Sequence, residues 1–333
     1  MRENGSSVGD MTTEHTSSKH PRLGGIVAAC LTPFDTGGKI DWTALERQIE
    51  FLLPDCDAIT IGAVEASEYS MLTPEERKEL LRRGARLVDG RRPLVLGASS
   101  PRLSAVAELA ELAAEEGADF VQVLAPARPW GGEPHADELV RYFEAAESVS
   151  PLPIVAYHNP ACGADPSVET WIRVSELGAV RAIKESSRDI SKIGRMIEGV
   201  DAAGNAAYLA TMQPLLITLL MGGSGGTMPP PGTRIGSLVV AAMRAGEFDR
   251  ARSWQRVFNL FPARWARYGL PPVMKSAMRH FGVDIGDPMT PFQPVSEVDH
   301  GLIGEFLRAT GVLDGADVPD QKVFSDPRWR TSS

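Results

Sequence analysis

The chain of 333 residues is 43% hydrophobic and 23% charged, the composition of a soluble globular protein with a substantial core. Its formal net charge of -9 argues against nucleic acid as a partner, because polyanion binding calls for a basic face. No apolar run approaches the ~20 residues needed to span a bilayer, so no membrane association is expected.

In chain order, residues 1–21 are polar, lack the apolar segment of a signal peptide and are expected to form a disordered tail. Cys30, Cys56 and Cys162 are widely spaced and match no metal pattern, so they read as reduced thiols of a cytoplasmic protein. From Gly24 onward, short apolar runs alternate with amphipathic stretches of helical length. The predicted strands are GIVAACL (25–31), AITIG (58–62), PLVLGA (93–98), DFVQVLA (119–125), PIVAYH (153–158), VRAIKE (180–185), AAYLAT (206–211) and GGTMP (225–229). Asp41 is placed to cap the first helix, and Thr73-Pro74-Glu75-Glu76 is a capping box with proline at the first helical position of the second. Pro101, Pro134 and Pro166 sit near later helix starts; Gly90, Gly117 and Gly178 lie near helix ends.

Eight strands, each followed by a helix, predict an α/β fold: a (β/α)8 TIM barrel over residues 22–245, with an open doubly wound sheet as the alternative. The strands are apolar throughout rather than alternating, as a parallel sheet covered on both faces requires. Residues 246–318 read as a C-terminal helical extension of three helices, FDRARSWQRVFNLFPARWARYG, LPPVMKSAMRHFG and VSEVDHGLIGEFLRATG. Residues 319–333 lack periodicity and read as an irregular arm or a partner contact.

In a barrel, catalytic groups gather at the C-terminal ends of the strands. Lys184 ends the sixth strand on the same face as Val180 and Ala182, and Tyr157 ends the fifth on the face of Val155. Glu65, Ser67 and Glu68 follow the second strand on the same rim. A lysine amine attacks a carbonyl only when neutral, and desolvation depresses its pKa. The protonated imine it forms is an electron sink, and a nearby phenol can shuttle the protons. Lysine with tyrosine therefore supports aldol cleavage, condensation or dehydration without a metal or cofactor. The plainer reading is that Lys184 pairs with Glu185 or a rim acid, that Tyr157 packs, and that His158 and Asn159 order the loop. GGSGG at 222–226 completes no dinucleotide fingerprint and reads as a tight turn.

The segments AACLTPFDTGGKIDWTAL (28–45), LTPEER (72–77), PIVAYHNP (153–160), AIKESSRDI (182–190) and GGSGGTMPPP (222–231) occur in an order and spacing that resembles one family. It is the dihydrodipicolinate synthase/N-acetylneuraminate lyase family of class I aldolases, and the likeness runs over roughly residues 22 to 290. The resemblance implies a barrel with a helical appendix, a homo-oligomer (tetramer or dimer), a small keto acid as substrate, Lys184 as the Schiff-base lysine and Tyr157 as the proton-transferring tyrosine. Met228, at the end of the eighth predicted strand, is a further candidate substrate contact.

The family commonly carries Gly-Thr-Thr-Gly-Glu after the second strand to bind the 2-oxo acid carboxylate. Here GAVEASEY (62–69) puts Glu68 at the motif glutamate and Ser67 at its glycine, with Glu65 and Ala66 in place of the threonines. A carboxylate at 65 tends to repel a substrate carboxylate. A tyrosine pair usual after the fourth strand is replaced by APARPW (125–130), where Trp130 points to bulky substrates or to a subunit contact. Near the family's carboxylate-binding arginine stands Cys162. The expectation is a Schiff-base lyase that is not a true dihydrodipicolinate synthase. Dehydration of a deoxy-keto sugar acid through the same imine, and a non-catalytic metabolite-binding barrel, are the alternatives.

Overall fold

The computed structural model describes residues 21–128 and 131–330. The expected tail (up to Lys19-His20) and Trp130 lie outside these. Eight parallel strands close in sequence order into a barrel: β1 Gly25–Ala29, β2 Ala58–Ile61, β3 Leu94–Gly97, β4 Phe120–Leu124, β5 Ile154–His158, β6 Val180–Glu185, β7 Ala207–Ala210 and β8 Gly225–Met228. Each predicted strand is present, trimmed by one or two residues at most of its ends. Closure rejects the open sheet.

The eight helices that follow the strands are α1 Trp42–Leu52, α2 Pro74–Val88, α3 Leu103–Glu115, α4 Ala136–Val149, α5 Val168–Ser175, α6 Ile190–Met196, α7 Leu215–Leu220 and α8 Gly232–Arg244. Their starts have the chemistry the sequence suggests. The Asp41 carboxylate accepts from the Ala44 amide, and Thr73 and Glu76 satisfy each other's backbone N–H groups reciprocally.

Side chains of alternate strand residues divide into two layers. Val27, Ala58, Val95, Phe120, Val155, Ala182, Ala207 and Leu209 fill the barrel interior with Leu23. Ile26, Ala28, Ile59, Ile61, Val121, Ala156 and Ile183 face outward into the helical layer. Full burial of each such Leu, Ile, Val or Phe stabilises by roughly 1.5–3 kcal/mol, so both layers are needed to hold the ring. The seam between β1 and β8 needs glycine: a Cβ on Gly225 would stand 2.1 Å from the Gly25 carbonyl oxygen.

Beyond the barrel, α9 Phe248–Gln255 packs on α7 and α8, while α10 Leu270–His280 packs on α11 Glu297–Ala309 and reaches the loop after β2 through Lys275. The first of the three predicted helices is shorter than expected. It ends at Gln255 and gives way to 3-10 turns at Arg256–Asn259 and Ala263–Tyr268, around Pro262, whose ring cannot continue an α-helix. In the segment read as an irregular arm, Val323, Phe324 and Trp329 are buried, with Trp329 edge-on to Phe306 of α11.

Candidate active site

On β5 and β6 the residues pair as Tyr157 with Lys184 and His158 with Glu185. Because successive strand side chains point to opposite faces, this register sends Tyr157 and Lys184 inward together and His158 and Glu185 outward together. The Lys184 ammonium lies over the Tyr157 ring, 4.0 Å from its centroid. Lys184 is 7% exposed, and no acid among the described residues forms an ion pair with it. Burial pushes its pKa down from the ordinary 10.5, Glu65 and Cys162 pull it partly back, and the outcome is about 8. At pH 7 about a tenth of the amine is therefore uncharged, against well under a thousandth for an exposed lysine.

Tyr157 is 1% exposed. Burial first, and the Glu65 charge second, push its phenol well above the ordinary tyrosine value, while Asn159 and Ser186 pull the other way. The phenol stays protonated and can give up a proton only to a strongly basic partner such as a developing alkoxide. The Asn159 side-chain amide donates to the Tyr157 oxygen at 2.7 Å and to Glu65 Oε2 at 3.1 Å. Its own carbonyl oxygen accepts from the Ala161 amide. Asn159 thus orders the loop, as expected, and also joins the phenol to a rim carboxylate.

Behind Lys184 and Tyr157, Glu185 does not pair with Lys184. Its carboxylate accepts from Tyr208 at 2.9 Å and from the Ser187 amide at 2.6 Å, and it meets His158 Nδ1 at 3.0 Å. Burial pushes this carboxyl up, but the hydrogen bonds from His158 and Ser187 outweigh it and hold the group below the ordinary carboxylate value. The other His158 nitrogen meets Asp165, which Lys192 contacts at 2.6 Å. This buried polar layer fixes the ends of β5 and β6.

The structure brings Lys184, Tyr157 and Glu65 together and turns the other candidates elsewhere. Ser67 is 1% exposed; its hydroxyl donates to the Cys30 carbonyl, and its own carbonyl accepts from Thr32. Ala66 is buried in the main apolar core. Glu68 contacts Lys275 of α10 at 2.6 Å and accepts from the Met289 amide, so its carboxylate ties the loop after β2 to the C-terminal helices. Met228 shares a layer with Ile26 and packs toward Gly236 of α8, outside the ring, because Thr227 takes the inward position beside Val27. Sequence reasoning gave Ser186 no role and missed Arg188 and Gln213 at the same rim. Among the described residues, no three His, Cys, Asp or Glu side chains are grouped as a metal site requires.

A sequence model of the dihydrodipicolinate synthetase family matches residues 22–309. The 4-hydroxy-tetrahydrodipicolinate synthase of Acidovorax sp. (strain JS42) is 30% identical over 310 residues, 90% of this chain and 100% of that protein. The enzyme of the same name from Exiguobacterium sibiricum is 28% identical over 291 residues, 86% of this chain and 97% of that one. Among solved structures, a dihydrodipicolinate synthase of Bacillus anthracis superposes with a TM-score of 0.77 at 27% identity, covering 88% of this chain and 98% of its own.

Proposed function

The chain belongs to the dihydrodipicolinate synthetase family, lyases of the class I aldolase type, and from that premise we propose that Lys184 forms an imine with a 2-oxo acid or related keto substrate. The observation that carries this reading is the buried, unpaired amine with a pKa of about 8 lying against the Tyr157 ring. The neutral amine adds to the carbonyl carbon, and one of its protons passes to the alkoxide so formed, giving a carbinolamine. Tyr157 gives a proton to the departing hydroxyl, water leaves, and the iminium draws the electron pair of an adjacent C–C or C–H bond toward nitrogen.

The substrate differs from that of a true dihydrodipicolinate synthase in this reading. Glu65 and Ala66 stand in place of the family's threonine pair, and Cys162 stands near its arginine, which supports a change in what the site holds. Dehydration is the second reading. It is favoured by Glu65, a carboxylate linked through Asn159 to the phenol and able to accept a proton from a hydroxylated substrate. A homo-oligomer, dimer or tetramer, belongs to the same proposal and is supported by exposed Ile190 on α6, Leu220 on α7 and Met221 just after α7, which lies against Gly194 of α6. A cytoplasmic setting accords with three free cysteines. No helix among the described residues is long and apolar enough to cross a membrane.

Reduction with borohydride in the presence of a panel of 2-oxo acids, followed by peptide mass spectrometry, tests the proposal. An adduct on Lys184 is expected with at least one acid and none in Lys184→Ala. No adduct across the panel, with tight metabolite binding and no turnover, would favour the non-catalytic barrel. Loss of water without carbon–carbon cleavage would identify a dehydratase.

A further inference from the structure

Above Glu65 the barrel mouth opens into a cavity of about 350 Å³, walled by the loops after β2, β6 and β7 and by the turn around Pro262, Ala263, Ala266 and Leu270. Two polar side chains besides Glu65 face it, Arg188 and Gln213. Arg188 has a φ of +63°, a conformation that non-glycine residues rarely adopt and that surrounding structure must hold in place. Its Nε donates to Gln213 Oε1 at 2.9 Å. The Gln213 backbone is itself pinned, its carbonyl accepting from buried Gln255 of α9 at 2.8 Å. Both terminal nitrogens of the guanidinium then remain without a hydrogen bond or ion pair among the described residues.

A second arginine near the opening does not share this property. Arg128 lines a neighbouring cavity with Cys162, but Glu138 accepts from it at 2.8 Å and neutralises it. Arg188 therefore has no ion-pair partner among the described residues, and with its Nε held by Gln213 its two terminal nitrogens are left as a fork. Hydrogen bonds link the cavity wall to Tyr157: Glu65 lines the cavity, and Asn159 bridges Glu65 to the Tyr157 oxygen.

We propose that Arg188, held by Gln213, is a specificity-determining residue that binds an acidic group at the end of the substrate remote from the imine carbon. The chemical class is an oxo acid bearing a second anionic group, a carboxylate or a phosphate, with room between the two ends for hydroxyls facing Glu65. This deepens the imine reading and rests on it for the position of the reacting carbon. It also gives the mouth a mixed character. Glu65 disfavours an anion beside the phenol, and Arg188 attracts one farther out.

The test compares pyruvate, which has one anionic group, with 2-oxoglutarate and 2-oxoadipate, which have two. In the native protein, the half-saturating concentration for reductive trapping is expected to be at least tenfold lower for one of the diacids than for pyruvate. Arg188→Gly removes the side chain at a φ that glycine adopts freely, so the loop is kept. It should raise the half-saturating concentration for the diacid at least tenfold and leave that for pyruvate within twofold. Arg188→Lys should recover part of the loss. Equal effects on pyruvate and diacid, or no preference for a diacid in the native protein, would overturn the proposal. Equilibrium binding of 2-oxoglutarate to Lys184→Ala, with and without Arg188→Gly, reads the anion subsite without the imine. A tenfold weakening upholds it even where no adduct forms, and identical binding overturns it.

Discussion

Lys184 and Glu185 are neighbours in the chain and face opposite layers of the barrel wall. One step along β6 separates an amine kept without an acid partner from a carboxylate held by Tyr208, His158 and Ser187. The arrangement is costly at Lys184. Its value in the folded protein, about 8, lies below the 10.5 of an exposed lysine, so between those values the unfolded chain binds more protons than the folded one. Below pH 8 the penalty of the buried ammonium is present in full, about 3 kcal/mol, and it fades as pH climbs toward 10.5. Lys184→Met is therefore expected to raise stability in urea denaturation at pH 7 by up to about 3 kcal/mol, with a smaller gain at pH 10. A loss of stability at pH 7, or a gain independent of pH, would contradict the depressed value. At this scale the sequence was informative where strand parity decides direction, as for Lys184 and Tyr157. It was silent on Arg188, an exposed loop residue whose left-handed backbone leaves no periodic trace.

The elements were legible because their chemistry is local. Asp41 and the Thr73 box announce α1 and α2 within four residues, and the eight apolar runs announce the strands. What joins the elements was not legible. Glu68, expected at the substrate, is buried against Lys275, whose ammonium also donates to the Asp287 carbonyl and lies over the Phe34 ring. Nothing in either local sequence signals a partner so far along the chain. Burial first pushes the Lys275 pKa down, and Glu68 pulls it back. Removing one partner of a buried pair strands the other, so Glu68→Ala is expected to destabilise by about 3–5 kcal/mol. Adding Lys275→Met should recover most of that loss in urea denaturation. A single variant within 1 kcal/mol of the native protein, or a double variant no better than the single, would show that the pair does not clamp the loop to α10.

For the whole molecule, the eightfold alternation of apolar strand and amphipathic helix made the barrel readable. Closure then places the strand ends, and with them Lys184 and Tyr157, around one opening. The C-terminal segment was harder to read, because Phe324 and Trp329 are isolated apolar residues whose burial depends on α11 and the turns beside it. The cavity at the barrel mouth is walled by loops from three strands and by the turns after α9, which meet only once the ring has closed. The depressed pKa of Lys184 likewise belongs to the whole fold, since it comes first from burial inside the closed barrel.

The most direct measurement is the rate at which a 2-oxo acid, in the presence of cyanoborohydride, forms a reduced adduct on Lys184 as pH is varied from 6 to 10. A rate rising through an inflection near pH 8, with the adduct mapped to Lys184, is expected. An inflection near 10.5, an adduct on another residue, or none with any acid would contradict a buried amine poised for imine formation.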